Sequence, residues 1–138
     1  MLDTYIDIIL EEDLFVSRFS ERLLDSFKEY FKVRFAKELP EEIAENSLQV
    51  DGFFYDDFYS YSLTALIGET EDLNFDGDFL VFGYFSGGSN GYAVFDYETD
   101  EYCFLKVNGE KEIGFDDLDD FLGHYVFYDL DEEIEEEE

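Results

Sequence analysis

The chain has 138 residues, with 38 Asp and Glu against 8 Lys and Arg, for a formal net charge of −30. It also carries 17 Phe and 11 Tyr, and 46% of its residues are hydrophobic. An acidic disordered polymer would lack those aromatics, a nucleic-acid binder would carry the opposite charge, and one cysteine builds neither a disulfide framework nor a Cys-rich zinc site.

These quantities predict one acidic domain over residues 1–128, followed by an acidic mobile tail over 129–138. No apolar run approaches the ~18 residues of a membrane helix. The opening Met1-Leu2-Asp3-Thr4-Tyr5 has no basic region and no small-residue cleavage site, so it does not read as a signal peptide. With the lone Cys103, this points to the cytoplasm. The charge is uneven: residues 1–50 hold six cations and twelve anions, whereas 51–138 hold two cations and 26 anions. Between Lys37 and Lys106 there is no Lys or Arg. Such asymmetry serves either solubility or the attraction of a basic partner.

Residues 4–36 read as helical, because Leu14, Phe15, Phe19, Leu23, Leu24, Phe27, Tyr30 and Phe31 recur mainly at spacings of three and four. A break near Glu12-Asp13 would make Asp13 a helix N-cap. Leu39-Pro40-Glu41-Glu42 opens a second helix, which Asn46-Ser47 should end.

Strands are predicted at Ser47–Tyr55, Phe58–Ile67, Phe79–Phe85, Gly91–Tyr97 and Tyr102–Val107. Turn-formers separate them, including Asp56-Asp57, Ser86–Gly91 and the two-residue hairpin signal Asn108-Gly109. A last helix is predicted over Phe115–Tyr128. The expected fold class is α+β: N-terminal helices packed on a mostly antiparallel sheet of about five strands, with a C-terminal helix.

No cofactor motif survives inspection. Asp72, Asn74, Asp76 and Gly77 match the first half of a calcium loop, but its twelfth position is Gly83 rather than a bidentate Glu, and the flanks read as strands. The plainer reading is an Asp-Gly turn; the sharper one is a metal-dependent enzyme using Asp72, Asn74 and Asp76. Ser86-Gly87-Gly88-Ser89-Asn90-Gly91 lacks the Lys-Ser/Thr of a phosphate loop. Cys103 and His124 read as a packed thiol and a helix-end imidazole. Adjacent acids are unavoidable among 38, so they do not mark a glycosidase.

Between Phe53 and Tyr61 aromatics interleave with acids. Alternation on a strand would bury one set and leave some of Phe54, Tyr59 and Tyr61 outside, unless both faces are covered.

Several segments carry a family resemblance. They are Leu80-Val81-Phe82-Gly83, the turn Gly87–Gly91, Tyr92–Asp96, the strand-turn-strand from Glu101 to Ile113, and the acidic helix opening Phe115–Leu122. With Leu39-Pro40-Glu41-Glu42, they resemble the SUKH superfamily. Glu45-Asn46-Ser47 stands where that family often has Asn-Gly-Gly, and tryptophan is absent.

The resemblance implies a bacterial immunity protein that neutralises a basic toxin domain, such as a nuclease, by occluding its surface. Its fungal branch would imply a regulator of cell-wall glucan synthesis. The sequence therefore reads as a non-enzymatic binding protein with a basic protein partner, no direct nucleic-acid contact and no membrane contact. The alternative is a regulatory adaptor or DNA mimic. Candidate contact residues are Asp56, Asp57, Tyr59, Asp76 and Asp78, which lie in the cation-free stretch at predicted strand ends.

Overall fold

The computed structural model describes Ile9 and residues 17–55, 57–87 and 90–127; from residue 17 on, two described helices precede the sheet. Helix α1 spans Glu21–Phe35 and helix α2 spans Glu41–Gln49. The helix predicted over 4–36 is shorter within the described residues, because 17–20 are not helical. There the backbone bonds sideways to the end of α2: Phe19 N–H donates to Ser47 O, and Asp51 N–H donates to Ser17 O, both at 2.7 Å. Asp13 and the acidic tail lie outside the described residues.

Two strand predictions are corrected. Residues 47–49 belong to α2, because the Ser47 hydroxyl donates to Ile43 O and Val50 N–H donates to Asn46 O. Strand β1 is therefore only Phe53–Tyr55. Strand β2 is Phe58–Ser60, and helix α3 follows over Leu63–Leu73, where a longer strand was expected. Two side chains start α3: Ser62 Oγ accepts from Ala65 N–H, and Asp51 Oδ1 accepts from Leu63 N–H at 2.8 Å. Leu63, Leu66 and Ile67, at helical spacing, fill the core.

The remaining elements are β3 (Phe79–Phe85), β4 (Gly91–Asp96), β5 (Glu101–Lys106), β6 (Lys111–Phe115) and α4 (Leu118–Tyr125). Phe115 thus closes β6 rather than opening α4, which starts behind Asp117; that side chain accepts from Asp120 N–H. The six strands form one antiparallel sheet in sequential order. The β5–β6 connection is longer than two residues. Lys106 N–H donates to Glu110 O, Gly109 N–H donates to Lys106 O, and Gly109 takes a φ of 90°. The fold is α+β with six strands, one more than expected.

Helices cover one sheet face. Phe31, Ile43, Leu66, Phe121 and Phe127 meet Phe58, Phe82, Phe85, Ala93 and Phe104 in the main core. Phe121 packs edge-on to Phe82, and Tyr125 stacks on Phe104 at 21°. The opposite face has a smaller buried cluster of Val81, Val94, Cys103 and Leu105, screened in part by Leu73, Phe75, Phe79 and Tyr92.

Helix α3 runs beside the stretch of β3 that β2 does not reach. There the Thr70 hydroxyl accepts from Val81 N–H at 2.9 Å, satisfying a backbone donor in place of a strand.

A bulge in β3 decides what each face presents. Val81 pairs with Val94, but the next pair is Gly83 with Ala93, so Phe82 is the extra residue. Leu80, Phe82 and Phe85 all enter the main core, while Tyr84 stays on the side of Val81. Gly83 is required beside the bulge: a Cβ there would lie 2.6 Å from Cε1 of Phe58.

Candidate interaction face

Directly opposed residues of antiparallel strands share a face. Phe54 opposes Tyr59, Tyr59 opposes Tyr84, Tyr84 opposes Tyr92, and Tyr92 opposes Leu105. A stripe of four aromatic side chains therefore crosses β1 to β4 on the face away from the helical core. Tyr61 joins it beside Tyr59, with ring centroids 5.5 Å apart. Phe75 meets Tyr92 at 5.2 Å, and Tyr84 meets Tyr92 at 5.3 Å.

The stripe is buried at one end and open at the other. Leu105 is inaccessible, Tyr84 and Tyr92 are half-buried, and Phe54 and Tyr59 are 49% and 46% exposed. Both readings of the Phe53–Tyr61 segment thus apply, in different places. The central strands are covered on both faces, whereas β1 and β2 alternate between buried and exposed residues.

Acids flank the stripe. The Glu69 charge on α3 acts on the phenols of Tyr61 and Tyr92. Desolvation, then the Glu69 charge, pushes Tyr61 up to about 12. Tyr92 is raised by desolvation, then by Tyr84 and Glu69. These hydroxyls therefore remain neutral donors at physiological pH.

Asp57 is exposed at the turn before β2, and its carbonyl accepts from Ser86 N–H at 2.9 Å. Its carboxylate packs over Gly87, where a Cβ would lie 2.5 Å from Oδ2. Asp76 is exposed next to Phe75.

The sequence-derived candidates do not form one compact site. Asp57 sits at the Phe85 end of β3, whereas Asp76 and Asp78 sit at the Phe79 end. A seven-residue strand separates these ends by roughly 23 Å. Tyr59 belongs to the stripe near Asp57. Asp78 holds the Lys37 ammonium at 2.7 Å, so its charge is compensated within the fold. Asp56 lies outside the described residues.

Sequence reasoning missed Tyr84, Tyr92 and Glu69. The tyrosines could have been aligned by folding β3 and β4 about the Ser86–Asn90 turn, which sets Tyr84 opposite Tyr92. Glu69 was hidden because its helix began inside a predicted strand.

Cations are consumed internally. Of the eight in the chain, six form ion pairs among the described residues: Lys28–Glu41, Lys32–Glu38, Arg34–Glu71, Lys37–Asp78, Lys106–Glu110 and Lys111–Asp96. None of these neutralises Asp57, Glu69 or Asp76.

The other chemical candidates are dispersed. The calcium-loop pattern is divided between α3, which holds Asp72, the left-handed cap Asn74 and the loop with Asp76. Among the described residues, no three or more His, Cys, Asp or Glu are grouped to hold a metal. Cys103 is buried, and that burial raises its thiol to about 11. His124 packs between the rings of Phe115 and Tyr125. No helix among the described residues is long and apolar enough to cross a membrane.

In comparisons with protein-family models, curated proteins and solved structures, nothing matches this chain.

Proposed function

We propose that this chain is an acidic binding protein of the immunity type, which captures a basic protein partner, such as a nuclease toxin domain, and occludes its working surface in the cytoplasm. One observation carries this reading: an aromatic stripe flanked by acids that no cation among the described residues pairs with, in a chain whose cations are largely engaged by its own carboxylates. Aromatic anchors give binding energy at protein interfaces, and surplus negative charge draws a cationic partner in faster. The resemblance of residues 79–122 to the SUKH superfamily supports the same role.

The test is co-expression with the protein encoded by the adjacent open reading frame. The proposal expects a complex that forms at low salt, weakens as salt rises, and abolishes that protein's toxicity. A harmless neighbour that does not bind, or a complex indifferent to ionic strength, would overturn it.

A further inference from the structure

We propose that the Tyr59–Tyr84–Tyr92 stripe is an arginine-binding surface, on which an arginine-bearing segment of the basic partner lays its guanidinium groups. This rests on the binding role proposed above and names the chemistry that the face selects. Strands are roughly 4.8 Å apart, so the stripe offers consecutive aromatic side chains at that repeat. Phe54 and Tyr59 are open to solvent, and Tyr84 and Tyr92 continue the row inward.

A guanidinium is planar, weakly hydrated and able to stack on a ring while its N–H groups bond sideways. The sideways acceptors are present. Phenolic oxygens accompany each tyrosine, the Glu69 charge reaches Tyr61 and Tyr92, and Asp57 sits in the turn just before Tyr59's strand, its carboxylate over Gly87. A lysine ammonium would use the carboxylates but gain less from the rings, because it stays strongly hydrated.

Charge decides among occupants. A second copy of a chain at −30 is repelled, and an anionic ligand meets Asp57 and Glu69. A cationic segment has complementary charge.

The experiment titrates the isotope-labelled full chain with octa-arginine and, separately, octa-lysine at equal ionic strength, following tyrosine ring resonances. The inference expects roughly fivefold tighter binding of octa-arginine, with shifts at Tyr59, Tyr84 and Tyr92. Tyr59→Leu and Tyr84→Leu should erase that preference, weakening octa-arginine several-fold more than octa-lysine. Glu69→Gln should weaken both peptides. Equal affinity for the two peptides, or a preference that survives both tyrosine substitutions, overturns the arginine surface and leaves the basic-partner reading intact. Failure of both peptides to bind at low salt overturns both.

Discussion

Glu42 on α2 accepts the backbone N–H of Leu118, the first residue of α4, at 2.9 Å across 76 residues of sequence. A carboxylate at a helix start satisfies a free donor and faces the positive end of the dipole. It also ties the N-terminal helices to the C-terminal one. Glu42→Ala should cost about 1 kcal/mol of stability. Glu42→Gln keeps an acceptor and should cost less. Urea midpoints of the two variants check this order.

The same carboxylate sets part of the pH response. Burial raises Glu42 above its ordinary 4.5, with Asp117, Asp119 and Glu45 adding to the effect against the Leu118 bond. Burial likewise raises Asp51 above 3.8. The folded state thus takes up these protons before the unfolded state does, so stability rises as pH falls from neutral into the carboxylate range. Asp96 runs the other way. Desolvation would raise it, but the bond from Lys111, with help from Glu98 N–H, holds it below 3.8. Its contribution is present above 3.8 and lost as pH falls through its lower folded value. The melting temperature should therefore climb as pH falls from 7.5 into the carboxylate range, and Asp96→Asn should remove the part of the acid-side loss that sets in below 3.8. Added salt at pH 7.5 should also raise the melting temperature, by screening a charge of −30.

Ala36 ends α1 with a φ of 56°, in the left-handed region where a Cβ is strained. Its N–H still closes onto Lys32 O at 2.8 Å. Ala36→Gly should stabilise the fold by about 0.5 kcal/mol, the relieved strain outweighing the extra freedom of the unfolded chain. Denaturant titration checks the sign.

Gly83 has the opposite sensitivity. A methyl group there meets the Phe58 ring at 2.6 Å and the Tyr59 carbonyl at 3.1 Å. Gly83→Ala should cost about 1–3 kcal/mol through overpacking. Adding Phe58→Leu should recover part of that loss, as a thermodynamic cycle would show.

Much of this architecture was readable in residues that act locally. Asn108 and Gly109 marked a real turn because their conformations are set by a few neighbouring atoms, such as the Asn108 Oδ1 that accepts from Glu110 N–H. β3, β4 and β5 were legible as aromatic and β-branched runs. Helix α3 was not, because Tyr59, Ser60 and Tyr61 led an extended pattern into Leu63. The Ser62 cap and the Leu63, Leu66, Ile67 spacing were the overlooked signal. The bulge at Phe82 depends on packing from two directions, with Phe85 drawn to Phe121 and Gly83 lying under Phe58, and no local pattern encodes it. Exposed Tyr59 was accessible to strand alternation. Its neighbours Tyr84 and Tyr92 required the register of three strands.

The most direct measurement is a chemical-shift map of the labelled chain titrated with octa-arginine at low and high salt. The account predicts changes centred on Phe54, Tyr59, Glu69, Tyr84 and Tyr92 that fade as salt rises. Changes centred instead on α1 and α2, or unaffected by salt, would contradict it.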